Sequence, residues 1–227
     1  MSPRRFIKIC GLTNADDAQS ALGLGADLLG MVMHPKSPRF CSEENARKII
    51  QDSYFTPTVL VFADNDIDYA RQIIKNLAGE LTFIQAPTKS GLFQWLRSNY
   101  PVRKTIPVYS VEESIPEPEL QSSLGELAEY PWIILDTGGK KSSTGEVLFG
   151  GTGQTFNWES VSRITRNFFL AGGLNPGNVA EAIRVSGAGG YDVSSGIESS
   201  PGKKDFDKMR LFISIIRHSG EHKNPLT

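Results

Sequence analysis

Short apolar runs and helix-like stretches alternate along the whole chain. The runs begin near Phe6, Leu28, Thr58, Leu81, Thr105, Trp132, Phe168 and Tyr191. Several are apolar almost throughout, including Leu28-Leu-Gly-Met-Val-Met33, Val59-Leu-Val-Phe62, Trp132-Ile-Ile-Leu135 and Phe168-Phe-Leu-Ala171. A strand with one wet face alternates apolar and polar residues. A strand covered on both faces does not, which points to parallel strands sandwiched by helices. Between the runs, Ile67, Ala70, Ile73, Ile74 and Leu77 recur at helical spacing, as do Phe206, Met209, Phe212, Ile213 and Ile216. Helix starts agree with this reading: Asn14 precedes Ala-Asp-Asp, and Ser42 precedes Glu-Glu. Asn175-Pro176 predicts an N-cap followed by proline at the first helical position.

Eight strand-then-helix units in 227 residues leave roughly 28 residues for each, which suits a compact (β/α)8 TIM barrel of eight parallel strands. An open, doubly wound sheet shows the same local alternation, but eight units favour closure. No composition shift or Ser/Pro-rich linker divides the chain. The expectation is one barrel domain over 1–227, with a polar, frayed tail from about His218.

Composition narrows the partners. Lys plus Arg number 24 against 25 Asp plus Glu, a formal net charge of −1. Binding nucleic acid or an anionic membrane usually needs a basic face, so neither is expected as a partner. No apolar run approaches bilayer length. The N-terminal stretch lacks the long apolar core and small-residue cleavage site of a signal peptide. Two cysteines, Cys10 and Cys41, cannot build a disulfide framework or a zinc cluster. A reduced, cytoplasmic protein is expected.

In a (β/α)8 barrel, reactive residues gather where the strands end at their C-termini. Those ends here are Cys10-Gly11, His34 to Arg39, Gln85, Asp136, Ala171-Gly-Gly173 and Ser194-Ser-Gly196. Gly172 and Gly173 let backbone approach a ligand, while Ser194, Ser195 and Gly196 offer hydroxyls and free N–H groups. Loops after strands seven and eight are the recurrent phosphate site of this architecture; tight βα turns would use the same glycines. The Gly150-Gly-Thr-Gly153 stretch fits neither a dinucleotide fingerprint nor a P-loop. Cys10 reads either as a small buried apolar residue or as a reactive thiol, whose ionisation a cation such as Lys8 could favour. Asp136 closes a buried strand, as a loop cap or as an acid whose proton affinity partial burial would raise. The fork of Arg39 suits a carboxylate or phosphate. Cys41 reads as a loop thiol, and His34 as a histidine without a visible partner.

Taken together, Ile7-Lys-Ile-Cys-Gly-Leu-Thr13, Ser37-Pro-Arg-Phe40, Leu135-Asp136, Gly150-Gly-Thr-Gly-Gln-Thr-Phe156 with Trp158, Leu170-Ala-Gly-Gly-Leu-Asn-Pro176 and Asp192-Val-Ser-Ser-Gly-Ile-Glu198 resemble the phosphoribosylanthranilate isomerase family. The motifs follow the family's order and span most of the chain. The resemblance implies a (β/α)8 barrel and the third step of tryptophan biosynthesis. There N-(5-phosphoribosyl)anthranilate becomes 1-(2-carboxyphenylamino)-1-deoxyribulose 5-phosphate. It implies Cys10 as general base, Asp136 as general acid, and Arg39 on the anthranilate carboxylate. Gly172, Gly173, Ser194, Ser195 and Gly196 would then hold the phosphate. The partner is a small phosphosugar–anthranilate, and no cofactor or metal is called for.

Three stretches depart from the family pattern. Gln85-Ala-Pro-Thr88 keeps the glutamine of Gln-Leu-His-Gly but loses its histidine and glycine, and Thr105-Ile-Pro-Val-Tyr109 lacks the family's lysine. Gly138 to Phe149 lengthens one loop, as a lid or as a tolerated surface insertion. Two other readings stay open: a different phosphosugar isomerase or synthase on this scaffold, and a non-catalytic phosphosugar-binding barrel. The outer helices single out no interface, so monomer and homodimer are both open.

Overall fold

Eight apolar runs become eight parallel strands in a closed cylinder. A computed structural model describes residues 4–63, 65–112, 115–137 and 157–219. The strands are β1 (Phe6–Ile9), β2 (Leu28–Val32), β3 (Thr58–Val61), β4 (Thr82–Pro87), β5 (Thr105–Val111), β6 (Ile133–Thr137), β7 (Phe168–Leu170) and β8 (Gly190–Val193). They hydrogen-bond in sequence order, and β1 closes on β8. This is the (β/α)8 barrel that the alternation predicts, with none of these eight strands left as an open edge.

Each strand has two buried faces, which is why its sequence does not alternate. One face lines the lumen, where Leu28, Val59, Ile106, Ile134, Phe169 and Ala171 pack together. The other meets the helices, as Ile7, Ile9, Leu29, Met31, Ile133 and Leu135 do. The alternation of side chains therefore sends Lys8 and Cys10 to the lumen on β1, opposite in sense to Ile7 and Ile9. By the same parity Asp136 follows Ile134 into the lumen on β6, and Asp192 follows Gly190 on β8.

The helices are α1 (Ala15–Gly23), α2 (Glu43–Asp52), α3 (Ile67–Leu77), α4 (Gly91–Asn99), α5 (Glu117–Gly125), α6 (Val179–Ser186) and α7 (Phe206–His218). Asn14 and Ser42 cap α1 and α2 as expected, accepting from the N–H groups of Asp17 and Asn45. The periodic residues of α3 bury Ala70, Ile73, Ile74 and Leu77. In α7 Met209, Phe212, Ile213 and Ile216 are buried, but Phe206 stands exposed in the first turn.

Two expectations need correction, and one element was not anticipated. Asn175 does not cap α6. Its Oδ1 accepts from the Gly177 N–H at 2.8 Å and its N–H donates to Asn178 Oδ1, so this side-chain-closed turn delays the helix to Val179. After β6, the described residues show one turn of 3-10 helix, Trp158–Val161, where an eighth α-helix was expected. A further antiparallel hairpin, β9 (Glu198–Ser200) and β10 (Lys203–Lys204), interrupts the path from β8 to α7. The 138–149 stretch, the Gly150–Phe156 motif and the tail beyond Ser219 lie outside the described residues.

The lumen is filled closely at its lower end. A Cβ added at Gly190 would sit 2.5 Å from two ring atoms of Phe169, which itself packs at a tilt against Trp132 with 4.8 Å between centroids. We expect Gly190→Ala to cost about 1–3 kcal/mol through overpacking, read as a fall in melting temperature.

Candidate active site

Every residue of the site stands on a strand's C-terminal end or in the loop that follows it. The β1–β8 register sets Lys8 directly beside Asp192 and Ile9 beside Val193. The ladder runs one step further, where the Cys10 N–H donates to the Val193 carbonyl at 2.8 Å. Backbone pairing, not the thiol itself, thus fixes where Cys10 points. Across β2 the register pairs Ile9 with Leu29, which brings Gly30 level with Cys10. A Cβ at Gly30 would lie 2.9 Å from both Cys10 Sγ and Lys8 Nζ. The thiol and the ammonium therefore share a single niche that only glycine leaves open.

Lys8 is wholly buried, and its Nζ donates to both Asp192 oxygens at 3.1 Å. Burial works against the ammonium, but Asp192 and Cys10 outweigh it and push the Lys8 value up. Burial pushes the Asp192 carboxyl up although Lys8 pulls it down. Burial also raises the Cys10 thiol; Lys8 lowers it, Asp192 raises it and Lys204 lowers it again. The cationic neighbour expected from the sequence is present, yet the net shift of Cys10 is upward. Cys41 sits in the apolar core, where burial alone pushes its thiol up to about 12, so it is inert.

A second cluster closes the mouth above β1, β2 and β8. Gly11 adopts φ 72°, and a Cβ there would lie 2.6 Å from Ser194 Oγ, 2.9 Å from Arg39 Cδ and 3.5 Å from Lys204 Nζ. The loops carrying Cys10, Arg39 and Ser194 thus converge on one point. The Arg39 guanidinium makes a bidentate pair with Glu198, Nε to Oε1 at 2.9 Å and Nη2 to Oε2 at 2.8 Å. Lys204 Nζ donates to the same carboxylate at 2.9 Å and to the Ser194 carbonyl at 3.2 Å. Burial would raise the Glu198 carboxyl, but the Arg39 and Lys204 bonds hold it below its usual range. Burial lowers Lys204 despite Glu198.

The hairpin that supplies Glu198 and Lys204 is strapped to its surroundings. Thr13 Oγ1 donates to the Gly202 carbonyl at 2.7 Å, and the Lys204 N–H donates to Asp17 Oδ2 at 2.9 Å. On the far side, Gly172 and Gly173 take φ 87° and 64° after β7, a backbone course open to few other residues. Ser194 leads into a short 3-10 turn, Ser195–Ile197. A Cβ at Gly196 would fall 1.9 Å from the Leu174 carbonyl oxygen, so the loops after β7 and β8 lie in contact. Asp136 stands half-buried on β6, level with Ser110 of β5. Gln85 is lumen-facing, and its buried Oε1 has no partner among the described residues.

Sequence reading named Cys10, Arg39, Asp136 and the two phosphate loops, and it noted Lys8 as a cation near Cys10. It assigned no role to Asp192, Glu198 or Lys204. The first two lay inside a quoted motif, and for Asp192 a carboxylate within a strand buried on both faces was the available signal. Lys204 sits on a hairpin that no turn pattern announced.

The fold is that of known proteins. Residues 7–215 match the family model of N-(5'phosphoribosyl)anthranilate (PRA) isomerase. The N-(5'-phosphoribosyl)anthranilate isomerase of Aquifex aeolicus is 36% identical over 212 residues, covering 91% of this chain and 96% of its own. The crystal structure of phosphoribosyl anthranilate isomerase from Thermotoga maritima is 32% identical, with a TM-score of 0.74 over 93% of this chain and 98% of that one. Another, of phosphoribosyl anthranilate isomerase in complex with reduced 1-(o-carboxyphenylamino)-1-deoxyribulose 5-phosphate, is 30% identical with a TM-score of 0.71 over the same shares. With its closed barrel and a family match running almost end to end, the chain belongs to the N-(5'-phosphoribosyl)anthranilate isomerase family, the isomerases of tryptophan biosynthesis.

Proposed function

We propose that Cys10 is the general base and Asp136 the general acid of this isomerisation. The observation that carries the reading is their placement. Both side chains follow lumen-facing residues on β1 and β6 at the C-terminal mouth, with the loops after β7 and β8 between them around the rim. A sugar lying across that mouth can meet one group on each side.

The chemistry suits those two groups. The rearrangement opens the ribose ring and moves a proton from C2. Asp136, protonated, gives its proton to the ring oxygen as the C1–O bond breaks, and the anilino nitrogen's lone pair forms an iminium. The cationic nitrogen acidifies the C2–H bond. The Cys10 thiolate takes that proton, and the bonding pair moves to make an enolamine that tautomerises to the ketone. These are proton transfers, and no step calls for a hydride carrier or a metal. Each acid or base contributes about 10²–10⁴-fold, and the rest comes from holding the substrate at both ends.

Arg39 is positioned for the anthranilate carboxylate. Its Nε and Nη2 are engaged by Glu198, so a second carboxylate would be met by the remaining guanidinium edge, held in a fixed plane. Gly172, Gly173, Ser194, Ser195 and Gly196 are the phosphate-binding group, supported by the contact of their two loops. On this reading a single barrel domain acts on a free small molecule in the cytoplasm, as a monomer or homodimer, without nucleic acid or membrane. No helix among the described residues is long and apolar enough to cross a membrane.

Loss of phosphoribosylanthranilate fluorescence reports turnover directly. Cys10→Ser and Asp136→Asn should each lower kcat by about 10²-fold or more with small changes in KM; full activity in either removes that residue from its role. Arg39→Ala should raise KM by about tenfold or more, and an unchanged KM would contradict the clamp. Glu198 adds a pH test. Its folded value lies below the unfolded one, so its stabilisation is complete above the unfolded pKa of about 4.3 and fades as pH falls through the folded value. Glu198→Gln should therefore lower the melting temperature at neutral pH, by about 3 kcal/mol of stability, and make little difference under strongly acid conditions.

A further inference from the structure

A lysine and an aspartate sealed inside a barrel need an explanation. Replacing a buried ion pair with packed apolar residues is often neutral or stabilising, so stability alone does not account for Lys8 and Asp192. Their position does. Lys8 is two residues below Cys10 on the same lumen face of β1, and its Nζ shares the Gly30 niche with Cys10 Sγ. Asp192 is its register partner on β8 and grips the ammonium with both oxygens.

We propose that Lys8 is the charge partner of the Cys10 thiolate, held in place by Asp192, which divides the ammonium's charge between its own carboxylate and the sulfur. The inference rests on Cys10 acting as the base. A thiol that loses its proton in a dry lumen leaves a bare anion, which is strongly disfavoured. An ammonium already waiting beside it turns that anion into half of an ion pair. An undivided ammonium would leave the thiolate too weak a base to take a carbon-bound proton. Asp192 restores proton affinity while holding Nζ against the niche. Both are positioning residues, since they act through Cys10 and not on the sugar.

Among the described residues, the charged groups acting on Cys10 are Lys8 on β1, Asp192 on β8 and Lys204 on β10. Lys204 is already committed to Glu198 at 2.9 Å, as is Arg39. Asp136 faces the same lumen from β6, three strands around from β1. Lys8 and Asp192 are thus the adjustable pair, and they pull in opposite directions.

That opposition makes the test. Cys10 ionisation is followed by ultraviolet thiolate absorbance, with the Cys10→Ala spectrum subtracted to remove Cys41 and the tyrosines. The pH profile of kcat/KM is measured alongside. Lys8→Met should move the Cys10 titration and the acid limb of the profile upward by about one unit or more, and Asp192→Asn should move both downward. At neutral pH, kcat in Lys8→Met should fall by about tenfold or more with KM nearly unchanged. The double variant Lys8→Met/Asp192→Asn leaves no lone buried charge, which protects the experiment from misfolding; its titration should also move upward. A merely structural pair would change melting temperature without moving either titration, and that result overturns the proposal. Cys10→Ser separates the two layers. If it retains full activity, the base assignment fails; if it is inactive while the Lys8 and Asp192 variants titrate like wild type, only the charge-partner role fails.

Discussion

A closed parallel barrel has no wet interior face, and this constraint governs everything at its mouth. A fully buried charge in the lumen needs a counter-charge close by, and a neighbouring strand can supply it at the same height. The β1–β8 register does so, setting Lys8 against Asp192 directly beneath Cys10. Had the two strands paired one residue out of step, every side chain would have changed faces, and a lysine would have been buried among apolar helices. The seam that closes the cylinder is therefore also the one that sets a buried ion pair beneath the Cys10 thiol.

Above that pair, a second electrostatic layer organises the rim. Glu198 gathers Arg39 and Lys204 on one carboxylate, and the β9–β10 hairpin ties this cluster back to Thr13 and Asp17. An arginine on a loop would otherwise sample many orientations, and each bond to Glu198 removes some of them. The guanidinium plane is thus set within the protein itself, and a group ordered in advance lowers the ordering cost of whatever it binds. The same hairpin anchors Lys204 against the Ser194 carbonyl, so the Arg39 loop and the loop after β8 share one mechanical support.

Glycines at the site serve proximity. Gly30 leaves the niche that Sγ and Nζ occupy, Gly11 admits Ser194 and Arg39, and Gly196 lets two loops touch. Side chains at these points would push apart the groups that the glycines let meet. Gly190 plays a comparable part lower down, where Phe169 takes the volume a side chain would fill.

Much of this was legible from local patterns. The starts of the eight strands, the caps at Asn14 and Ser42, and the buried stripe of α3 follow from hydrophobic spacing and from side-chain hydrogen bonding to nearby backbone, both of which act over a few residues. The positions of Cys10, Asp136 and the two glycine loops followed from the strand ends. What local patterns could not show were relations between distant segments. Asn175 matched a cap motif, yet Asn178 and Gly177 drew it into a turn. The direction of the Cys10 shift depends on burial and on an aspartate 182 positions away in sequence, brought near only when β8 meets β1. Glu198 became the organiser of Arg39 because a hairpin folds over the rim. Sequence alone determined which segments are strands and which residues could react, since periodicity and residue chemistry are local. Tertiary structure decided which of those residues share a dry space and with what partners, because electrostatics there depends on distances that only closure of the barrel establishes.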